Sequence, residues 1–183
     1  MKITIVTGFF LPVPPVRGGS TEKTWHGLAA LFAAAGHSVT FVSRSWNGLA
    51  AAETAAGVRH IRLPGFAYSR FLAVNLGHDL IWGVRVARAL PAADVVICNT
   101  VTLPVWLRLF RPGAGRVAVM MGRSPKGQVR LYRAVSRIYA PSSSVAAAIT
   151  SARASARTRV VGYPIDWGPV SYTHLTLPTT ERV

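Results

Sequence analysis

The sequence predicts an α/β protein, a doubly wound parallel sheet of the Rossmann-like kind, and two observations carry that expectation. Short β-branched runs alternate with segments of helical periodicity along the chain. The runs KITIVT, DVVICN and RVAVMM are largely apolar or β-branched without strict alternation, the pattern of interior strands covered on both faces and not of half-solvated antiparallel ones. With 183 residues, 50% of them apolar, the chain has the material for one good core, so a single compact domain is the expectation. No apolar stretch reaches the roughly 18 residues of a membrane span, and the N-terminus has no secretory pattern, which predicts a cytoplasmic protein. Cys98 has no partner cysteine and reads as a small buried hydrophobe.

The elements run in this order. The first strand covers about 2 to 7. A helix capped by Ser20 comes next, with Glu22 in its first turn and Trp25, Leu28, Ala29, Leu31 and Phe32 at helical spacing up to Gly36. HSVTFVSR supplies the second strand at about 38 to 43, SWNGLAAAETAAG a loop with a turn or more of helix, and VRHIRL an alternating third strand. PGFAYSRFLAVNLG has no clear pattern, whereas residues 76 to 90 are periodic and end at Pro91. VVICN is the fourth strand, LPVWLRLF a short helix, RVAVMM the fifth strand and QVRLYRAV another short helix. RIYA, a capped helix over SSSVAAAITSARA, and TRVVG complete the series, with right-handed crossovers throughout.

Between the first strand and its helix lies FFLPVPPVRGGSTEKTW, far longer than a simple connection needs. In doubly wound sheets ligands bind beyond the carboxyl ends of the strands, so this loop stands over the site. Its prolines restrict the loop, Gly18 and Gly19 allow close backbone approach, and the N–H groups of the following helix favour an anion. A turn that merely leads into the helix is the competing reading. No GxGxxG, Gly-Lys P-loop or nucleophile elbow is present, and the second strand ends in Ser43-Arg44-Ser45 without the acidic residue of an NAD site. An NADP-dependent oxidoreductase using Arg44 therefore stays a distant alternative.

Residues 1 to 44, together with ADVVICNT, APSSSVAAAI and VVGYPIDW, resemble the amino-terminal domain of GT-B fold glycosyltransferases of the large retaining group called family 4. The resemblance spans residues 1 to about 167. It implies transfer of a sugar from a nucleotide-sugar donor to a glycan or lipid-linked acceptor, a phosphate-proximal role for Gly18, Gly19 and Ser20, and no metal or other cofactor beyond the donor as co-substrate. It further implies polysaccharide biosynthesis as setting, and a second, donor-holding domain that this sequence lacks, so the chain reads as an inactive amino-terminal part. A histidine that many relatives carry after the strand matching RVAVMM is replaced here by Met121, Gly122 and Arg123. Arg123 and Lys126, on the loop after that strand, could meet a phosphate or an anionic acceptor, or be solvated charges. Asn99 and Thr100, after the fourth strand, could hydrogen-bond a sugar hydroxyl or cap the next helix.

The net charge of +15 points to an anionic partner, with arginines decorating a solvated surface as the competing reading, and the arginines are dispersed with no block of five. That distribution argues against nucleic acid and leaves phosphorylated substrates and peripheral contact with an anionic membrane; a basic binding module is the competing class. His60 and His78 lack ligand-spaced companions, and Trp46 and Trp106 read as packing residues. Residues 170 to 183, VSYTHLTLPTTERV, lose the alanine-rich character of what precedes and match the translation of a sequencing adapter, so the expected domain is 1 to 169.

Overall fold

The β-branched residues Ile3, Thr4, Ile5 and Val6 of KITIV are all buried, and this segment becomes the central strand β1 (Lys2–Val6) of an eight-stranded sheet. The structure is a computed structural model and describes residues 1–162. The expected tail and the end of the expected domain, residues 163 to 183, lie outside the described residues. The chain continues through α1 (Ser20–Ala34), β2 (Ser38–Arg44), β3 (Ala52–Ala55), β4 (Val58–Leu63), α2 (Leu72–Ala89), β5 (Val95–Cys98), α3 (Leu103–Phe110), β6 (Arg116–Met120), a 3₁₀ turn (Gln128–Leu131), β7 (Arg137–Ala140), α4 (Ser143–Ala152) and β8 (Thr158–Val160).

The strands lie in the order β3-β4-β2-β1-β5-β6-β7-β8, all parallel except for the antiparallel β3–β4 pair. Progress is to one side from β1 to β4 and to the other from β5 onward, the doubly wound order the sequence predicts. Side chains sort accordingly. Ile3, Ile5, Val39, Phe41 and Val58 gather beneath α1, with Ala29 among them. Val6, Val96, Cys98, Val119 and Ile138 form the core of the other face with Trp82 of α2, Leu107 of α3 and Ile149 of α4. At Gly83 a Cβ would strike Trp106 and the Thr102 hydroxyl, so the close crossing of α2 and α3 requires glycine there.

Four local expectations need correction. The segment 45–57, expected as a loop with a turn or more of helix, is a loop followed by the antiparallel hairpin strand β3 and carries no helix. Its two-residue turn is Ala56–Gly57 with φ of 49° and 74°, a primed turn lacking the usual Asn or Asp that would have announced it. Helix α2 starts at Leu72, four positions before the periodic stretch. The helix expected over QVRLYRAV is a single 3₁₀ turn. Gly19, not Ser20, is the N-cap of α1, and Ser20 is already helical with no capping bond. Ser142 does cap α4, accepting from the Val145 N–H at 3.4 Å.

His60 of β4 is buried between the Phe41 ring, stacked at 5.9 Å, and the His26 ring at 6.1 Å, with both imidazole nitrogens unpartnered. Burial, then the nearby Arg62 guanidinium and His26, outweigh Glu53 and hold its pKa down to about 4 from the usual 6.5. Between those values an unfolded chain takes up a proton that the folded one refuses, so stability falls as pH drops through this window by about 1.4 kcal/mol per unit. Urea unfolding of the wild type and of His60→Phe at pH 7 and pH 4.5 checks this. The substitution should flatten the acid loss, and parallel pH profiles would refute the assignment.

A candidate binding edge on the sheet

The carboxyl ends of β1, β5 and β6 are neighbours, and all the residues singled out by sequence follow one of these strands: Gly18, Gly19 and Ser20 after β1, Asn99 and Thr100 after β5, Arg123 and Lys126 after β6. The topology thus brings them to one edge.

The long first loop is held by cations from other strands. Arg62 of β4, 3% exposed, donates from Nε to the Val13 carbonyl at 2.9 Å and from Nη1 to the Ala50 carbonyl at 2.6 Å, and its Nη2 pairs with Glu53 at 2.5 Å. Arg44 donates to the Phe10 carbonyl at 2.9 Å. The Phe66 N–H reaches the Phe9 carbonyl at 2.9 Å, in a contact so close that Gly65 has no room for a Cβ. The fully buried Trp82 indole N–H donates to the Thr7 carbonyl at 3.1 Å. Carbonyls that irregular backbone would otherwise leave unmatched in the interior are thereby satisfied. Arg17 and Arg44 lie over the Trp46 ring at 5.8 and 4.9 Å from its centre, so Trp46 stacks on guanidinium groups beside the glycine loop instead of filling a core.

Both glycines have left-handed backbone, with φ of 77° at Gly18 and 95° at Gly19. They differ in surroundings. Gly18 faces open space, whereas a Cβ on Gly19 would fall on the Glu22 carboxylate and the Leu11 side chain. The absent side chain of Gly19 is therefore needed by the chain itself. Glu22 is buried with 3% exposure, and burial raises its carboxyl pKa, opposed by its own backbone N–H. The start of α1 already holds an acid of the protein, and any ligand there meets a carboxyl able to accept from hydroxyl groups as well as N–H groups that favour anions.

After β5, the Asn99 amide is occupied: its Nδ2 donates to the Val6 carbonyl at 3.1 Å, stitching β5 to the end of β1. Thr100 is buried with an unpartnered hydroxyl. Behind it, Asp79 of α2 accepts from the Thr102 N–H at 2.7 Å, the Thr102 hydroxyl donates to the Asp79 carbonyl at 2.8 Å, and Tyr132 donates to the Val101 carbonyl at 2.8 Å. Burial raises the Asp79 pKa, with the bonds from Thr102 and Val101 opposing. Arg123 and Lys126 are exposed, and Arg62–Glu53 is the one ion pair among the described residues, so neither has a carboxylate partner there. Among the described residues no group of three His, Cys, Asp or Glu is placed to hold a metal ion. Sequence reasoning missed Arg62 altogether and missed that Arg44 holds the first loop, because their partners Val13 and Phe10 lie 49 and 34 residues away; Glu22 was named as a first-turn acid, but its burial was not foreseen.

No family model matches the sequence. No curated protein matches it. Similarity appears at the level of structure. The chain superposes on sucrose-phosphate synthase from Thermosynechococcus elongatus with a TM-score of 0.66 and 14% identity, covering 88% of this chain and 48% of that one. It superposes on Anabaena HepE, solved in complex with UDP and glucose, with a TM-score of 0.56 and 13% identity, covering 91% and 45%. The N-terminal domain of trehalose-6-phosphate phosphatase from Candida albicans gives 0.56 and 11%, covering 90% and 49%. The chain spans about half the length of each. The fold is thus the one that the GT-B resemblance implies, a single doubly wound domain corresponding to about half of such a chain.

Proposed function

We propose that this chain is the acceptor-side domain of a glycosyltransferase that moves a sugar from a nucleotide-sugar donor to a glycan or lipid-linked acceptor, with retention of configuration and with a second domain supplying the rest of the donor site. The observation that carries the reading is the edge itself: a backbone bend at Gly18 facing open space, cations at Arg123 and Lys126 with no carboxylate partner among the described residues, and the buried hydroxyl of Thr100 follow adjacent strands of a fold shared with a sucrose-phosphate synthase and with a HepE solved with UDP and glucose. Departure of a nucleoside diphosphate builds negative charge on phosphate oxygens. Guanidinium, ammonium and helix N–H groups aimed at that charge supply electrostatic stabilisation, while the acceptor is held in line. The chemistry needs both halves of the cleft. The 183-residue chain incubated with UDP-glucose and other nucleotide sugars should release no nucleoside diphosphate to added acceptors, and joining it to the downstream domain of its gene should restore release. Sugar transfer by this chain alone would contradict the division of labour.

The acceptor in this proposal lies at an anionic membrane surface, on the cytoplasmic side. An exposed helix normally turns polar residues outward, but α2 turns out Leu76, Leu80 and Ile81, preceded by Phe71 at 57% and Leu72 at 71% exposure. From Gly65 to Ala93 the only acid is the buried Asp79, and Arg70, Arg85 and Arg88 supply positive charge. Apolar side chains flanked by arginines, with no exposed carboxylate, suit the interface of an anionic bilayer. No helix among the described residues is long and apolar enough to cross a membrane, so the contact would be peripheral. Leu76→Glu combined with Leu80→Glu should abolish cosedimentation with phosphatidylglycerol vesicles at moderate salt. Undiminished binding would move the contact elsewhere.

A further inference from the structure

At the opposite, amino edge of the sheet, α4 ends at Ala152, β7 begins at Arg137 and β8 at Thr158, and between them lies a cavity of about 220 Å³. Its lining residues include Arg133, Arg153, Arg157, Ser136 and Ser155. The cavity is built, not incidental. Arg153 is half-buried and fixed, donating from Nη1 to the Tyr132 carbonyl at 2.5 Å and from Nε to the Ser155 hydroxyl at 3.1 Å. The turn that carries it is closed by Ala156 N–H to the Arg153 carbonyl at 3.0 Å and tied to β7 by Ile138 N–H to the Arg157 carbonyl at 2.9 Å.

Charge makes the cavity unusual. Three arginines line one cavity, half-buried Arg153 and exposed Arg133 and Arg157, and the sequence has no Asp or Glu between Asp94 and Asp166. The one ion pair among the described residues, Arg62–Glu53, lies elsewhere. Guanidinium forks match the oxygens of a phosphoryl group, and the Ser136 and Ser155 hydroxyls can add donors. The volume is below the range of sites that enclose drug-sized ligands, which favours a phosphoryl group over a whole nucleotide. We propose that the structure carries here a second anion site, distinct from the candidate edge, that takes a phosphate dianion: inorganic phosphate, the terminal group of a small phosphate monoester, or a phosphomonoester lipid headgroup.

The test uses the whole 183-residue chain in thermal unfolding with phosphate or glycerol 3-phosphate against sodium chloride at matched ionic strength. A ligand that binds only the folded chain raises the midpoint in a saturable way. The expected result is a saturable rise with the phosphates, and an affinity weakened by about tenfold or more in Arg133→Ala/Arg157→Ala, two exposed positions whose guanidinium groups make no hydrogen bond within the described residues. Arg108→Ala, which removes an exposed charge from α3, should keep the wild-type affinity. A rise that chloride reproduces, or that Arg108→Ala reduces as much, would overturn the site in favour of diffuse screening, and loss only in Arg123→Ala/Lys126→Ala would place the anion at the other edge. Should the double variant fail to fold, amide exchange in the wild type decides. Protection of residues 132–136 and 153–157 by soluble phosphates supports a free phosphate or monoester, protection only by phosphatidic acid vesicles supports a headgroup, and protection by neither overturns the proposal.

Discussion

A guanidinium group buried at 3% exposure, that of Arg62, converts a floppy connection into a fixed wall: with one side chain it satisfies the Val13 and Ala50 carbonyls and pairs with Glu53. Burying a cation is costly unless every donor is matched, and here Nε, Nη1 and Nη2 each have an acceptor. The restricted backbone of the proline-bearing loop lowers the entropy that the clamp must overcome. The glycine bend downstream depends on this anchor. If Val13 were not held in the core under α1, the approach to Gly18 and the start of α1 would have no defined position.

Position matters because the edge works, in the proposed reading, by arrangement and not by a reactive side chain. Cys98 is sealed in the core and burial pushes its thiol pKa up, so it supplies no nucleophile. Glu22 gives the site a mixed character. A carboxyl in the first turn competes with an arriving phosphate for the same N–H groups, yet can accept from a sugar hydroxyl, and such a site favours a ligand presenting both. The cavity between β7, α4 and β8 is lined by arginines and no acid, and a carboxylate of that edge, Asp94, accepts from the Lys2 N–H; that contrast separates the two proposed sites.

The parallel strands were legible because segments covered on both faces need not alternate; β1, β5 and β6 reveal themselves by near-continuous β-branched and apolar character. The hairpin of β3 was not, since Ala56 occupies a left-handed position that Asn or Gly would have advertised. The early start of α2 was hidden in a similar way. Buried Asn75 spends its amide on Ser69, accepting from the Ser69 N–H at 2.9 Å and donating to its carbonyl at 2.6 Å, within a segment whose sequence shows no clear pattern. At the candidate edge, the glycine loop could be found because glycines and prolines punctuate locally. Arg62 looked like one polar position of an alternating strand, and Glu22 like a favourable first-turn acid, because neither reveals in sequence that it is buried. Asn99 follows β5, and its amide serves β1.

The clamp is most directly tested by amide hydrogen exchange on Arg62→Met, which removes the donors while keeping an apolar stem; Glu53, at 37% exposure of its side chain, can then turn to water. Exchange at Val16 and Gly18, whose N–H groups donate to Pro14 and Pro15, should quicken by roughly 30- to 100-fold, the equivalent of about 2 to 3 kcal/mol of lost local stability, while β1 and β5 stay protected. Unchanged exchange in the loop of a folded variant would contradict the account.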